Sequence, residues 1–132
     1  MKPRDQGWDW DRGSHTRARG AGAEDRAADW LTDRGYEVLE RNVTTPAGEI
    51  DAVARDGQYL CFIEIKARAG GSHGSSLDAV DERKQRRLVR AARYYLTALG
   101  DDERACRFDV LGMDREDGRW RFTLIRDAFE AY

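Results

Sequence analysis

The chain has 132 residues, 40% hydrophobic and 36% charged, with two prolines and a formal net charge of −2. That length suits one domain whose core can stand without disulfides or a structural metal. The longest apolar run, Tyr59–Ile63, falls far short of the ~20 residues a membrane helix needs, and no apolar segment follows the polar N-terminus as a secretory signal would require. Cys61 and Cys106 make no disulfide framework and fit a reducing cytoplasm. Five basic against three acidic residues give residues 1–19 a charge of +2, which leaves the remainder near −4. A protein coated with positive charge is excluded, whereas a local basic stripe is not.

In chain order, residues 1–19 show no helical or strand period and read as a disordered tail ahead of a single domain over 20–132. Trp8 and Trp10 in that tail have the chemistry to stack on bases. Ala23, Ala27, Trp30 and Leu31 give 21–34 an apolar helical stripe that ends before Gly35. Strands are predicted over 36–45, 49–55 and 58–68, the first pair turning at Pro46-Ala47-Gly48 and the second at Asp56-Gly57. A glycine–serine loop at 69–76 precedes a long helix over 81–99, with Leu88, Ala92, Tyr95 and Leu99 on its buried side. Two further strands, 107–113 and 119–125, flank Glu116-Asp117-Gly118, and 126–132 reads as a short helical tail. Helices on both sides of a strand block predict an α/β sandwich around a central mixed β-sheet.

The chemistry concentrates in the second hairpin. A two-residue turn at Asp56-Gly57 pairs Arg55 with Gln58, Asp51 with Phe62 and Glu49 with Glu64. Alternation then sends Glu49, Asp51, Glu64 and Lys66 to one side of adjacent strands. Diagonal neighbours there lie ~7–8 Å apart, within reach of one ion held by two carboxylates. Three carboxylates on one face repel one another, and a divalent cation with oxygen ligands turns that repulsion into binding. Magnesium suits two carboxylates that leave room for substrate phosphate. Lys66 stands ready to orient an attacking water or neutralise the phosphate. Glu24 falls on the inward stripe of the first helix and Lys84 at the N-terminal end of the second helix's buried stripe. Charges on apolar stripes need partners, because burying them alone costs several kcal/mol. A structural Glu24–Lys84 or Asp51–Lys66 salt bridge is the alternative account.

Asp51 followed after thirteen residues by Glu64-Ile65-Lys66 resembles the PD-(D/E)xK nuclease signature. The wider order resembles the YraN family of bacterial proteins over about residues 20–129. It comprises Gly22-Ala23-Glu24, Arg41-Asn42, Gly48-Glu49-Ile50-Asp51, Phe62–Arg68, Ala79-Val80, Lys84 and Arg107-Phe108-Asp109-Val110. The resemblance implies a restriction-endonuclease-like fold similar to archaeal Holliday-junction resolvases. It further implies Asp51 and Glu64 as metal ligands, Lys66 as catalytic lysine and Glu24 as the additional helix-borne acid. Two positions depart from the pattern: Ala23 stands where glycine precedes the helix acid, and Ile50 where proline precedes the aspartate.

Together these readings predict a structure-selective DNA endonuclease using Mg2+ or Mn2+. Asp51, Glu64 and Glu49 would serve the metal, and Lys66, Glu24 and Lys84 the chemistry. Arg68, Arg83, Arg86, Arg87 and Arg90 are the candidate phosphate contacts, four of them with Arg93 along the second helix. The expected partner is nucleic acid, DNA foremost, with a homodimer considered and no membrane. The alternatives are a non-catalytic nucleic-acid binder that keeps the fold, and a protein-interaction adaptor with a purely structural charge cluster. His73 has the chemistry to meet a phosphate but sits in a solvated loop; Asp109 either braces an arginine or assists the site; Cys61 belongs to the core.

Overall fold

The structure, a computed structural model, describes residues 6–10, 22–68, 80–101 and 103–131, with the backbone alone for 6–10 and Arg68. The elements run β1 (Gln6–Trp10), α1 (Ala23–Asp33), β2 (Glu37–Thr45), β3 (Gly48–Asp56), β4 (Tyr59–Arg68), α2 (Glu82–Leu99), β5 (Cys106–Glu116) and β6 (Arg119–Phe129). Six strands form one sheet in the order β1-β6-β5-β4-β3-β2. Among them β4 and β5 alone run parallel. A parallel pair cannot be closed by a tight turn, and the crossover carries α2.

Each helix covers one face of the sheet. Alternation along β4 separates Cys61 and Ile63 from Leu60 and Phe62. The first pair packs with Ala52, Ala54, Leu111 and Met113 beneath Ala27, Trp30 and Leu31 of α1. The second pair packs with Ile50, Val53, Phe108 and Val110 beneath Leu88, Val89, Ala92 and Leu96 of α2. This is the α/β sandwich with a mixed sheet that the element pattern predicts. The ends of α2 are written in its sequence. The Asp81 carboxylate accepts the Lys84 N–H at 3.0 Å, and Gly100, at φ 78°, takes the left-handed position that stops the helix. Among the described residues no helix is long and apolar enough to cross a membrane.

Three expectations are corrected. The β3–β4 turn is Gly57-Gln58, with Asp56 facing Tyr59 and Arg55 facing Leu60, so the register moves by two residues. Asp56 stays in the strand because its carboxylate accepts Arg107 Nη2 at 2.8 Å. A two-residue shift preserves side-chain parity, and Phe62 still shares a face with Val53. The segment expected as a helical tail instead continues β6 to Phe129, which pairs with Phe108. An irregularity at Asp127 (φ 54°) lets its N–H reach Asp109 Oδ1 at 2.9 Å and keeps the chain on β5. Within the expected tail, Gln6–Trp10 pairs antiparallel with β6 as the edge strand. The rest of 1–19, the loop at 69–76 with His73, and the side chains of Trp8, Trp10 and Arg68 lie outside the described residues.

Candidate functional site

The β3–β4 ladder ends at Ala52–Ile63, and the next residues along the two strands are Asp51 and Glu64. Here β3 breaks step. Ile50 packs with the α2-side core although Ala52, two residues on, packs on the α1 side. The Asp51 side chain turns toward β4, where its Oδ2 accepts the Ile65 N–H at 2.8 Å. A carboxylate thus takes the place a strand carbonyl would hold. The expected single-face array is corrected accordingly: the observed register brings Asp51, rather than Glu49, across from Glu64.

Asp51 and Glu64 are half-buried, and each is a poor place for a negative charge. Burial raises the pKa of Asp51, the Ile65 N–H opposes this, and the charges of Glu49 and Glu24 add to it. Burial also raises Glu64, with the Asp51 charge adding, while Lys66, Arg87 and Lys84 oppose. Lys66 Nζ lies 4.0 Å from Glu64 Oε2. Lys84 is drawn to the same place from the first turn of α2. Its pKa is lowered by the neighbouring Lys66 ammonium. The two body lysines of this arginine-dominated chain therefore meet beside one carboxylate.

Glu24 and Glu49 are exposed at the rim. The buried stripe of α1 consists of Ala27, Trp30 and Leu31. Glu24 stands three and seven residues before Ala27 and Leu31, on their side of the helix but exposed in the first turn, where its Oε1 accepts from Asn42 Nδ2 at 3.5 Å and its charge acts on Asp51. Asn42 holds φ 54°, a kink in β2 that sequence periodicity does not signal. Arg83, Arg86, Arg87 and Arg90 are exposed on α2, and Arg86 is paired with Glu82 one turn earlier. Among the described residues no three His, Cys, Asp or Glu side chains are grouped to hold a metal ion. Protein donors for an ion at this place thus reduce to the two hard carboxylates of Asp51 and Glu64, a set that suits magnesium when other oxygens complete its shell.

The sequence profile described as "Uncharacterised protein family UPF0102" matches residues 23–113. A UPF0102 protein of Symbiobacterium thermophilum is 45% identical over 117 residues, covering 88% of this chain and 99% of that one. A second, from Chromohalobacter salexigens, is 44% identical over 117 residues, covering 89% and 94%. A third, from Chlorobium chlorochromatii, is 47% identical over 116 residues, covering 83% and 89%. The chain belongs to the UPF0102 family.

In this UPF0102 protein the Arg107-Phe108-Asp109-Val110 segment serves the scaffold. Asp109 is fully buried. Its Oδ1 accepts Arg107 Nε and Asp127 N–H, both at 2.9 Å. Its Oδ2 accepts Arg107 Nη2 at 2.9 Å and the Tyr36 hydroxyl at 2.8 Å. Asp109 thus braces an arginine. Burial alone would lower the Arg107 pKa, but the hydrogen bonds and charge of Asp109 raise it. Burial and the Asp109 charge push Tyr36 up as well. Cys61 lies buried beside this network, its thiol pushed to about 12 by burial and by Asp109. Sequence reasoning missed Tyr36 and Asp56 as partners, because nothing local ties them to a strand 50 or more residues away.

Proposed function

We propose that this UPF0102 protein is a metal-dependent phosphodiesterase that cuts DNA, selecting its substrate by structure. The observation that carries the reading is the half-buried Asp51–Glu64 pair with Lys66 and Lys84 converging on it. A fold gains nothing from setting two buried carboxylates against each other unless a cation or a proton joins them. In the folded protein a hard divalent ion fits that donor pair better than a buried salt bridge does, since Asp51 spends its carboxylate on a backbone N–H rather than on Lys66. A bound Mg2+ or Mn2+ supplies Lewis-acid stabilisation of the charge that develops on the phosphoryl group. Lys66 holds the attacking water in line with the phosphorus. Lys84 neutralises a non-bridging oxygen, and exposed Glu24 and Glu49 keep the rim wet and acidic. The exposed arginines of α2 track the phosphate backbone, which positions DNA without reading bases.

The test is cleavage of linear, nicked, flapped and four-way DNA with Mg2+ or Mn2+, by the parent and by Lys66→Ala and Lys66→Arg. Cleavage by the parent that both variants lose, with DNA binding kept, supports the reading. The arginine variant fails because a planar, permanently charged fork cannot replace a compact ammonium. No cleavage of any of these DNAs, or full activity in both variants, refutes it.

A further inference from the structure

The helix α2 carries a charge unlike that of the chain it belongs to. Six cations, Arg83, Lys84, Arg86, Arg87, Arg90 and Arg93, stand against one acid, Glu82, so α2 holds +5 in a protein of net charge −2. Arg83, Arg87, Arg90 and Tyr94 follow one another at four, three and four positions, the spacing of a single row along a helix. All four are exposed, and Tyr94 keeps 51% of its surface in solvent. Among the described residues no salt bridge holds Arg83, Arg87 or Arg90, and Tyr94 has no hydrogen-bond or ring partner. After Arg93 the helix bears no further cation, so the positive row stops where the Tyr94 ring stands.

Two contacts fix where the row lies. The Arg87 stem packs over Gly48, where a Cβ would stand 3.1 Å from Arg87 Cδ, three residues before Asp51 on β3. Farther along, the Tyr95 hydroxyl donates to Glu40 Oε2 at 2.6 Å, on the edge strand β2. The row thus begins over the strand that bears Asp51 and runs out toward the sheet edge. From Arg83 to Tyr94 it spans ~16 Å of helix, enough for about five phosphates at the ~3.4 Å spacing of a duplex strand and fewer in an extended one. Arginines answer the phosphates of any DNA. A tyrosine ring answers only the flat face of a base. In a duplex the neighbouring bases cover those faces, so only an unpaired strand can use Tyr94.

We infer that α2 is the track of a single-stranded DNA arm, with Tyr94 stacking on an unpaired base a few nucleotides from the carboxylate pair. The inference rests on the phosphodiesterase reading and adds to it the substrate class, a duplex that carries a single-stranded flap. The arginines hold the arm by its backbone, and the ring at the end of the row separates a flapped substrate from a blunt one.

The experiment measures affinity by fluorescence anisotropy in EDTA, which separates binding from cleavage, for a blunt duplex and for the same duplex with a flap. The parent is compared with Tyr94→Ala, Tyr94→Phe and Arg90→Ala across a salt series. Tyr94→Ala should weaken flap binding about fivefold or more and leave the blunt duplex unchanged. Tyr94→Phe, which keeps the ring, should match the parent on both. Neither should alter the logarithmic salt slope, whereas Arg90→Ala should flatten it by about one unit on both DNAs. Tyr94 is exposed, so its variants should melt with the parent. If Tyr94→Ala weakens both DNAs alike or neither, or if Tyr94→Phe fails as alanine does, the inference falls; a parent that still binds and cuts DNA then leaves the phosphodiesterase reading standing. A parent that binds neither DNA removes that reading and this inference with it.

Discussion

Asp51 contributes a hydrogen-bond acceptor and a charge, and two substitutions separate them. Its Oδ2 accepts the Ile65 N–H at 2.8 Å at the point where the β3–β4 ladder has run out. Asp51→Asn keeps an acceptor there and removes the charge. Asp51→Ala leaves a part-buried N–H unpaired, which costs about 1–3 kcal/mol. For a chain of this size 1 kcal/mol corresponds to roughly 3–5 °C in Tm. The alanine variant should therefore melt ~3–15 °C below the asparagine variant at every pH. The charge adds a pH dependence of known sign. Burial and the neighbouring acids raise the folded-state pKa of Asp51, so its protonated form is the favoured one. Its stabilising contribution is complete below the ordinary carboxylate range and is lost as pH rises through the raised value. Asp51→Asn should accordingly match the parent near pH ~4 and exceed it near pH ~7.5, where the parent holds a charge against Glu64, Glu49 and Glu24. Thermal melts in EDTA across that range, read as variant minus parent, give the answer. If asparagine falls as far as alanine and the difference ignores pH, Asp51 is a structural ion-pair partner and the reasoning fails.

Asp109→Ala should lose about 3–5 kcal/mol in urea denaturation, because it leaves the buried Arg107 guanidinium to Asp56 alone and unpairs the Tyr36 hydroxyl and the Asp127 N–H, while Mn2+ affinity stays at the parent's value. On α2, Arg83→Ala and Arg90→Ala should each flatten the salt slope of duplex binding by about one unit, independent of DNA sequence. Arg86→Ala should change it less, because Glu82 already holds that guanidinium.

The parts of the molecule that follow from a period were legible in the sequence. The stripe of α2 through Leu88, Ala92 and Tyr95, the alternation of β4 and the helices on opposite faces all need only residue spacing; Leu99, expected on that stripe, is exposed in the last turn of α2. Parity also explains why a wrong turn did limited harm. The turn moved by one residue and the register by two, so Glu64, Lys66 and Phe62 kept their side of the sheet. What was not legible depends on long-range hydrogen bonds. Asp56 looked like a turn residue, and a bond from Arg107, 51 positions away, makes it a strand residue. The role of Asp109 was undecidable from its neighbours Phe108 and Val110, since Tyr36 and Asp127 settle it. Residues 126–129 looked helical because Arg-Asp-Ala-Phe is too short to carry a period of its own, and the register with β5 decides the matter. The site itself falls on the boundary between the two kinds of information. Glu64 and Lys66 are where alternation puts them, yet Asp51 leaves the alternation to cap Ile65, and that departure is what sets its carboxylate beside Glu64. Regular pairing would have sent the Asp51 side chain to a sheet face and a strand carbonyl to Ile65. The carboxylate pair at the end of this ladder, the proposed cation site, therefore depends on β3 losing its pairing with β4, which a reading based on strand period cannot foresee.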